Sequence, residues 1–205
     1  MWSELSRDFN LYSTLRFPDG AGRFRLASLW LSSPGLWVLA LQRANHHLFS
    51  RNARGRDGSI ETFALRVLLA PTHLLAIIFA KCDINARTAI SGGVHLSDGG
   101  YLVLGPHSIG RGTVIHHRVT IGVEAAGKGR PTIGENVWIG PDCVIYGDVR
   151  LGDGSTVLPR TVLSMNVPDN AVVGGNPGRI VKRDFDNSDL RRSLACEVPE
   201  RLAPL

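Results

Sequence analysis

Cysteine is scarce in this 205-residue chain, and its placement argues against two kinds of protein. Cys82, Cys143 and Cys196 are odd in number and far apart, and no CxxC pair occurs. This pattern argues against a disulfide framework and against a cysteine-based zinc site. A reduced, cytoplasmic protein is the expected setting, because thiols are kept reduced in the cytosol.

The chain also lacks an uninterrupted apolar run of membrane-spanning length. The apolar segment 63–80 is broken by Arg66, Pro71 and His73, whereas a spanning helix needs about 20 consecutive apolar residues. We therefore expect a buried helix here and no membrane partner. The first ten residues show no apolar run behind a basic start, so no signal peptide is predicted.

Basic residues are neither dominant nor clustered. The net charge is +5, and residues 1–83 hold ten Lys/Arg against six Asp/Glu, while residues 84–205 hold thirteen against twelve. No Lys/Arg run marks a nucleic-acid footprint, so nucleic acid is not an expected partner. The mild basic excess is still compatible with binding of an anionic small molecule.

A repeat of six residues is the strongest pattern that is present. From residue 109 the chain reads IGRGTV IHHRVT IGVEAA GKGRPT IGENVW IGPDCV IYGDVR LGDGST VLPRTV LSMNVP, and nine of the ten first positions are Ile, Leu or Val. Neither a helix nor simple alternation has this period. It predicts short parallel strands joined by tight turns and wound into a solenoid. Weaker sixes from Ile84 extend the repeat over 84–168.

The isoleucine-led sixes, the loop GKGRPTIGENVWIG and the ending VPDNAVVGGNPGRIV resemble the hexapeptide-repeat acyltransferases. The resemblance implies a mainly β fold, a left-handed parallel β-helix of triangular section, over residues 84–183. Residues 1–83 resemble the N-terminal helical region of serine acetyltransferases. Residues 184–205 are expected to form a short helix and a tail.

The chain departs from serine acetyltransferases at positions that handle the acceptor. That family carries an Asp-His pair before its first complete coil and a second histidine in its loop. Here the matching positions are approximately Ser97 and Asp98, and Arg130 replaces the loop histidine. Serine O-acetylation with a relocated histidine is therefore kept as an alternative and not as the leading hypothesis.

Two adjacent histidines, His116 and His117, offer a substitute base. With three sixes to a coil, residues eighteen apart stack on one face, which places Asp98 near this pair. Related sugar acetyltransferases carry a catalytic histidine at the position that His117 occupies. A neutral imidazole, with an unperturbed pKa of about 6.5, suits a general base oriented by Asp98 or Glu124. We predict His117 as the base, with Asp98 and His116 as further catalytic candidates and His95 and His107 on the surface.

The resemblance implies acetyl-CoA as the donor, lying in a groove between adjacent β-helices. Trp138 is expected to point outward and to be covered by a neighbouring subunit or by the pantetheine arm. Gly122 could supply an N–H group to the site. The expected phosphate-binding cations are Arg160, Arg179, Lys182 and Arg183, and the expected acceptor-binding cations of the loop 122–132 are Lys128 and Arg130.

In this family active sites form between subunits, which implies a homotrimer, and the N-terminal helices could join two trimers. The leading hypothesis is an acetyl-CoA-dependent O-acetyltransferase, without a metal, that acts on a hydroxyl of a sugar or other small metabolite. A metal-dependent hydratase resembling the γ-class carbonic anhydrases would draw on His107, His116 and His117, although neighbouring strand residues point to opposite sides. A catalytically silent trimeric scaffold is the third possibility.

Overall fold

The computed structural model describes residues 2–17, 22–53, 78, 80–122 and 129–193. Within these ranges, helices precede a β-solenoid and a short helix follows it; they are α1 (Trp2–Arg16), α2 (Arg23–Ser32), α3 (Pro34–Ala53) and α4 (Ser188–Ser193). The helix expected at 63–80 lies outside the described residues except for positions 78 and 80. The domain boundaries therefore stay predictions. No described helix combines the length and apolar character that a membrane crossing requires.

Short strands of the described chain form three sheets, one for each side of the solenoid. Sheet A contains β1 (Cys82–Ile84), β4 (Leu102–Leu104), β7 (Thr120–Gly122), β10 (Val144–Tyr146) and β13 (Val162–Leu163). Sheet B contains β2 (Ala89–Ile90), β5 (Ser108–Ile109), β8 (Thr132–Ile133) and β11 (Arg150–Leu151). Sheet C contains β3 (His95–Leu96), β6 (Val114–Ile115), β9 (Trp138–Ile139), β12 (Thr156–Val157), β14 (Val172–Gly174) and β15 (Arg179–Lys182).

Up to β13 the chain passes from sheet A to B to C and back, and strands three apart in sequence pair in parallel. β14 then pairs in parallel with β12, and of the described strands only β15 is antiparallel. The first positions of the sixes fill the interior: Ile109, Ile115, Ile121, Ile139 and Leu151 are fully buried. Burying such a side chain stabilises the fold by about 1.5–3 kcal/mol, so the repeat supplies the core directly. The fold class predicted from the six-residue period is confirmed.

The coil length is not uniform, and this changes which side chains meet. In the lower coils Trp138 pairs with Thr156, eighteen residues on, as predicted. In the first coil His95 pairs with Val114, nineteen residues on. The eighteen-residue spacing is therefore wrong for the coil that carries Asp98, because its turns contain extra residues.

A buried arginine joins the helices to the solenoid. Arg43 uses all five of its N–H donors, on the carboxylates of Glu4 and Asp8 and on the carbonyl oxygens of Ile90 and Ser91. Asp8 is fully buried and also accepts two backbone N–H bonds from the same turn of the solenoid. The helical region is thus docked through a satisfied polar cluster.

Candidate active site

The corner between sheets C and A carries a column of charged residues. Matching positions in successive coils all have φ between 51° and 60°, and they are Lys81, Tyr101, Arg118, Asp142 and Arg160. A left-handed conformation costs a non-glycine residue roughly 1–2 kcal/mol. Its repetition shows that one turn geometry recurs along this edge, which we call the charged corner.

His117 lies at the charged corner and is partly exposed. Gly99 of the preceding coil packs against it, because a Cβ built on Gly99 would come within 2.9 Å of the His117 Cβ. On the other side, the backbone N–H of Asp142 donates to the His117 carbonyl oxygen at 3.3 Å. The structure thus places this imidazole at an open edge, with a glycine leaving room on one side.

Asp98 is directed toward the helical region. Its Oδ1 accepts the backbone N–H of Gly35 at 3.3 Å, in the first turn of α3, so it serves as a capping group for that helix. Burial raises the pKa of Asp98, while the Gly35 N–H bond and the charge of Arg16 act to lower it. Within the described residues no hydrogen bond joins Asp98 to His117. The nineteen-residue register of this coil sets Asp98 level with His117 and not with His116, and the Asp98–His117 dyad stays a prediction.

Asp142 is a carboxylate near His117 that sequence reasoning missed. Arg118 forms a bidentate ion pair with Asp142, Nε to Oδ1 at 2.6 Å and Nη2 to Oδ2 at 2.7 Å. The hydrogen bond from Arg118 lowers the pKa of Asp142 below its usual value, and the charges of Arg118, His117 and Arg160 act in the same direction. Residues 118 and 142 occupy the same turn position in successive coils. The loop after Gly122 lengthens the sequence between them, so this match is hard to see in the sequence.

His116 is buried beside Trp138 and does not face the charged corner. It is only 2% exposed, and its ring makes an edge contact with Trp138 at a centroid distance of 5.0 Å and an angle of 61°. Burial lowers the pKa of His116 to about 4, with a further contribution from His117. Of the two adjacent histidines, only His117 is placed to meet a substrate from solution.

His95 is also buried, so its predicted surface position is wrong. Its ring stacks on Tyr12 of α1 at 4.5 Å, and burial followed by the neighbouring His116 lowers its pKa to about 4. The sequence did not reveal that α1 covers this end of sheet C. His107 is exposed, as expected.

Trp138 points outward from sheet C but is fully buried by its own chain. It belongs to an apolar cluster with Val114, Leu158, Val172, Phe185 and Leu190. The expectation that a neighbouring subunit or the cofactor covers it is wrong, because the C-terminal segment does so. Its indole N–H has no hydrogen-bond acceptor among the described residues.

The loop that follows Gly122 is described only at its two ends. Gly122 closes β7, and a Cβ there would meet no atom within 4 Å, whereas Glu124 and Lys128 lie outside the described residues. Arg130 bonds its own chain, with Nε on Gly105 O at 2.7 Å and Nη2 on Pro106 O at 2.5 Å and on Thr88 Oγ1 at 3.0 Å. Arg130 therefore anchors the returning loop to the corner between sheets A and B.

The predicted phosphate-binding cations lie toward the C-terminal end of the solenoid. All four, namely Arg160, Arg179, Lys182 and Arg183, are exposed. Lys182 extends over the ring of Phe185, with Nζ 5.5 Å from the centroid. No group of three or more His, Cys, Asp or Glu side chains in the described ranges is placed to hold a metal ion.

Comparison with known proteins places these features among transferases. A family model described as Bacterial transferase hexapeptide (six repeats) matches residues 130–164. The serine acetyltransferase of Mycobacterium tuberculosis is 28% identical over 151 residues, which cover 72% of this chain and 61% of that protein. The chloramphenicol acetyltransferase of Agrobacterium fabrum is 34% identical over 62 residues, which cover 30% of each chain.

A solved structure is similar in fold to most of this chain. The serine acetyltransferase from Brucella abortus strain S19, in complex with coenzyme A, superposes with a TM-score of 0.71 at 25% identity, covering 89% of this chain and 68% of that one. The coils, the sheet order and the histidine at an open corner define a parallel β-solenoid of the hexapeptide type. The chain is similar to hexapeptide-repeat acyltransferases in sequence and in fold.

Proposed function

We propose that this chain is an acetyl-CoA-dependent O-acetyltransferase with a sugar or another small hydroxyl-bearing metabolite as acceptor. Acetyl transfer is supported by relatives that are named acetyltransferases, and coenzyme A by the complex of a relative of similar fold. The activity is a proposal because the chain spans only 61% of the length of the M. tuberculosis relative.

The observation that carries the proposal is the position of His117, partly exposed at the charged corner beside Gly99. A neutral imidazole there takes the proton of the acceptor hydroxyl as its oxygen attacks the thioester carbonyl. The same proton is then available to the departing thiolate. The imidazolium formed in between is close to the ionised carboxylate of Asp142.

The acceptor proposal rests on the departures from the serine acetyltransferase pattern. Asp98, at the position of that family's first catalytic histidine, caps α3. Arg130, at the position of its loop histidine, bonds backbone oxygens of its own chain. Serine O-acetylation with His117 as a relocated base is the second candidate, favoured by the names of the relatives. A three-histidine hydratase would need His116, whose side chain is buried.

A homotrimer is the proposed assembly, with the outer face of sheet A as one contact. Val103 of β4 and Val144 of β10 point outward on either side of Thr120 of β7 and are 49% and 37% exposed, and Tyr101, just before β4, is 55% exposed. Exposed apolar side chains grouped on one face of a sheet are typical of a protein interface.

An acceptor screen with acetyl-CoA tests the proposal, with thiol release as the measurement. His117→Ala is expected to lower turnover on the best acceptor by about 10²–10⁴-fold, the usual contribution of a general base. His107→Ala, which removes an exposed histidine elsewhere on the solenoid, is the matched control and should retain activity. Near-normal turnover by His117→Ala would refute the assigned base. Release of thiol with serine alone would select the second candidate.

A further inference from the structure

A cavity of about 200 Å³ lies at the joint between the helical region and the solenoid. Its walls come from Glu4 of α1, from Gln42, Arg43, His46, His47 and Ser50 of α3, and from Ile90 of β2. It is on a different part of the molecule from the charged corner, and the proposed acetyl transfer does not use it.

Apart from the ring of the exposed His47, the hydrogen-bond donors of these walls are already used. All five Arg43 donors have acceptors, as described above, and Gln42 donates through Nε2 to the carbonyl oxygen of Thr88 at 2.7 Å. His46 Nδ1 lies 3.0 Å from the carbonyl oxygen of Ala86, which can only accept, so Nδ1 carries the proton. The Ser50 hydroxyl donates within its own helix.

The side-chain atoms of Glu4, Gln42, His46 and Ser50 that are left without a partner are hydrogen-bond acceptors. Glu4 bonds Arg43 through Oε2, and in the described part of the chain no donor is bonded to its Oε1. The side-chain oxygen of Gln42 and the second ring nitrogen of His46 are likewise left with lone pairs to offer, as is the Ser50 oxygen. In addition, the two carboxylates of Glu4 and Asp8 share a single guanidinium, which leaves the cluster with an excess of negative charge.

We propose that this cavity is a binding site for a small molecule that presents a primary ammonium group. Such a group has one positive charge and three N–H donors, which complement a carboxylate, an amide oxygen and an imidazole nitrogen. An anion would face the Glu4 carboxylate, and among the described side chains of these walls it would find an unused donor only in the exposed ring of His47. A hard divalent cation prefers six or more oxygen ligands, and only one carboxylate lines the cavity.

Occupancy has a structural consequence, because the cavity is bounded by α1, α3 and the solenoid together. A ligand that binds only the docked arrangement stabilises it in proportion to its concentration over its dissociation constant. The site therefore links an amine to the docking of the helical region, independently of acetyl transfer.

The test is a titration of the full ¹⁵N-labelled chain near pH 7, followed by amide chemical shifts. Ethanolamine is the probe, since its amine is protonated at this pH like that of a lysine side chain. Ethylene glycol lacks the charge, and tetramethylammonium has the charge without N–H donors. We expect saturable shifts at residues 42–50 and 90 with ethanolamine and none with the other two. An equal response to either control probe, or no saturable response to ethanolamine, would overturn the proposal.

Glu4→Gln identifies the carboxylate, and it should weaken ethanolamine binding at least about tenfold, since a hydrogen bond to a charged group contributes about 1.5–3 kcal/mol. Glu135→Gln is the matched control, because Glu135 also pairs with an arginine at 2.9 Å and has a similar exposure, 44% against 41% for Glu4. It should leave binding unchanged. Unaltered binding in Glu4→Gln would contradict the assignment. The comparison of the three probes needs no variant, so it stands even where Glu4→Gln fails to fold.

Discussion

Arg118 and Asp142 face each other across one coil and form two parallel bonds of 2.6 and 2.7 Å at the charged corner. The guanidinium keeps the carboxylate ionised, since its hydrogen bond lowers the pKa of Asp142. The backbone of Asp142 is in turn bonded to that of His117. A fixed negative charge is thus held beside the proposed base.

Replacement of Asp142 by Asn should lower kcat/KM by up to about fivefold. An exposed charge interaction contributes about 0.2–1 kcal/mol, and this is the amount by which the imidazolium of the transition state loses support. The measurement is kcat/KM on the acceptor found in the screen. Glu135→Gln, which breaks the exposed ion pair with Arg111 elsewhere on the solenoid, serves as the control and should leave kcat/KM unchanged. A hundredfold loss in Asp142→Asn would instead indicate direct contact with substrate.

Variants of the two adjacent histidines should differ in effect, because His116 contributes to stability and His117 to the reaction. His116→Ala removes a buried ring that contacts Trp138, so we expect a loss of about 2–4 kcal/mol in the free energy of unfolding, as for other large-to-small core changes. Its kcat/KM should stay within about threefold when the folded fraction is taken into account. His117→Ala should show the opposite pattern. Urea unfolding and kinetics on both variants check this, and loss of chemistry without loss of stability in His116→Ala would contradict the assignment.

The buried histidines predict a loss of stability in mild acid. Burial lowers the pKa of both His95 and His116 to about 4 in the folded chain, against about 6.5 when unfolded. The unfolded chain therefore binds more protons between pH 6.5 and 4, and the free energy of unfolding falls as the pH falls through this window. Above pH 6.5 these two groups contribute no pH dependence.

Urea midpoints measured from pH 7.5 to 4 test this expectation. His95→Leu should flatten the dependence, because one of the two protonations is removed. His107→Gln removes an exposed histidine and should leave the curve unchanged. A curve that is equally steep in His95→Leu and the unaltered chain would show that other groups cause the acid sensitivity.

Removal of the Asp8 charge from the Arg43–Asp8 pair should lower the free energy of unfolding substantially. Asp8→Asn removes the fully buried carboxylate of the two that pair with Arg43 and leaves only the partly exposed Glu4, and the loss of one partner of a buried pair typically costs about 3–5 kcal/mol. Arg111→Met, which breaks the exposed pair with Glu135, should cost at most about 1 kcal/mol. Thermal or denaturant unfolding of both variants gives the comparison. Equal, small losses would mean that the helical region is held by its apolar contacts instead.

The six-residue period made the solenoid predictable because it fixes which residues face the interior. Ile115 and Ile139 lie where the repeat placed them and pair across adjacent coils. The register of the first coil was not predictable, since it depends on the number of residues in each turn. A shift of one residue moved the partner of Asp98 from His116 to the neighbourhood of His117.

The candidate site was predictable only in part. His117 was predicted from its position in the repeat and from the resemblance to related acetyltransferases, whereas the burial of His95, His116 and Trp138 depends on segments far away in the sequence. Tyr12 of α1 covers His95, and Phe185 packs in the cluster around Trp138. The local sequence of a β-strand does not predict which remote segment will cover the outer face of that strand.

Gly99 provides the most direct test of the geometry around the proposed base. A Cβ at this position would lie 2.9 Å from the His117 Cβ and 3.2 Å from its Cγ, so Gly99→Ala must displace the imidazole. Because a displacement of about 1 Å at a reacting group can cost up to about a hundredfold in rate, we expect kcat/KM to fall by about ten- to a hundredfold. Gly22→Ala is the control, since a Cβ there, far from the charged corner, meets no atom within 4 Å, and it should leave the rate unchanged. Full activity in Gly99→Ala with an intact fold would show that the chemistry does not depend on the placement of His117.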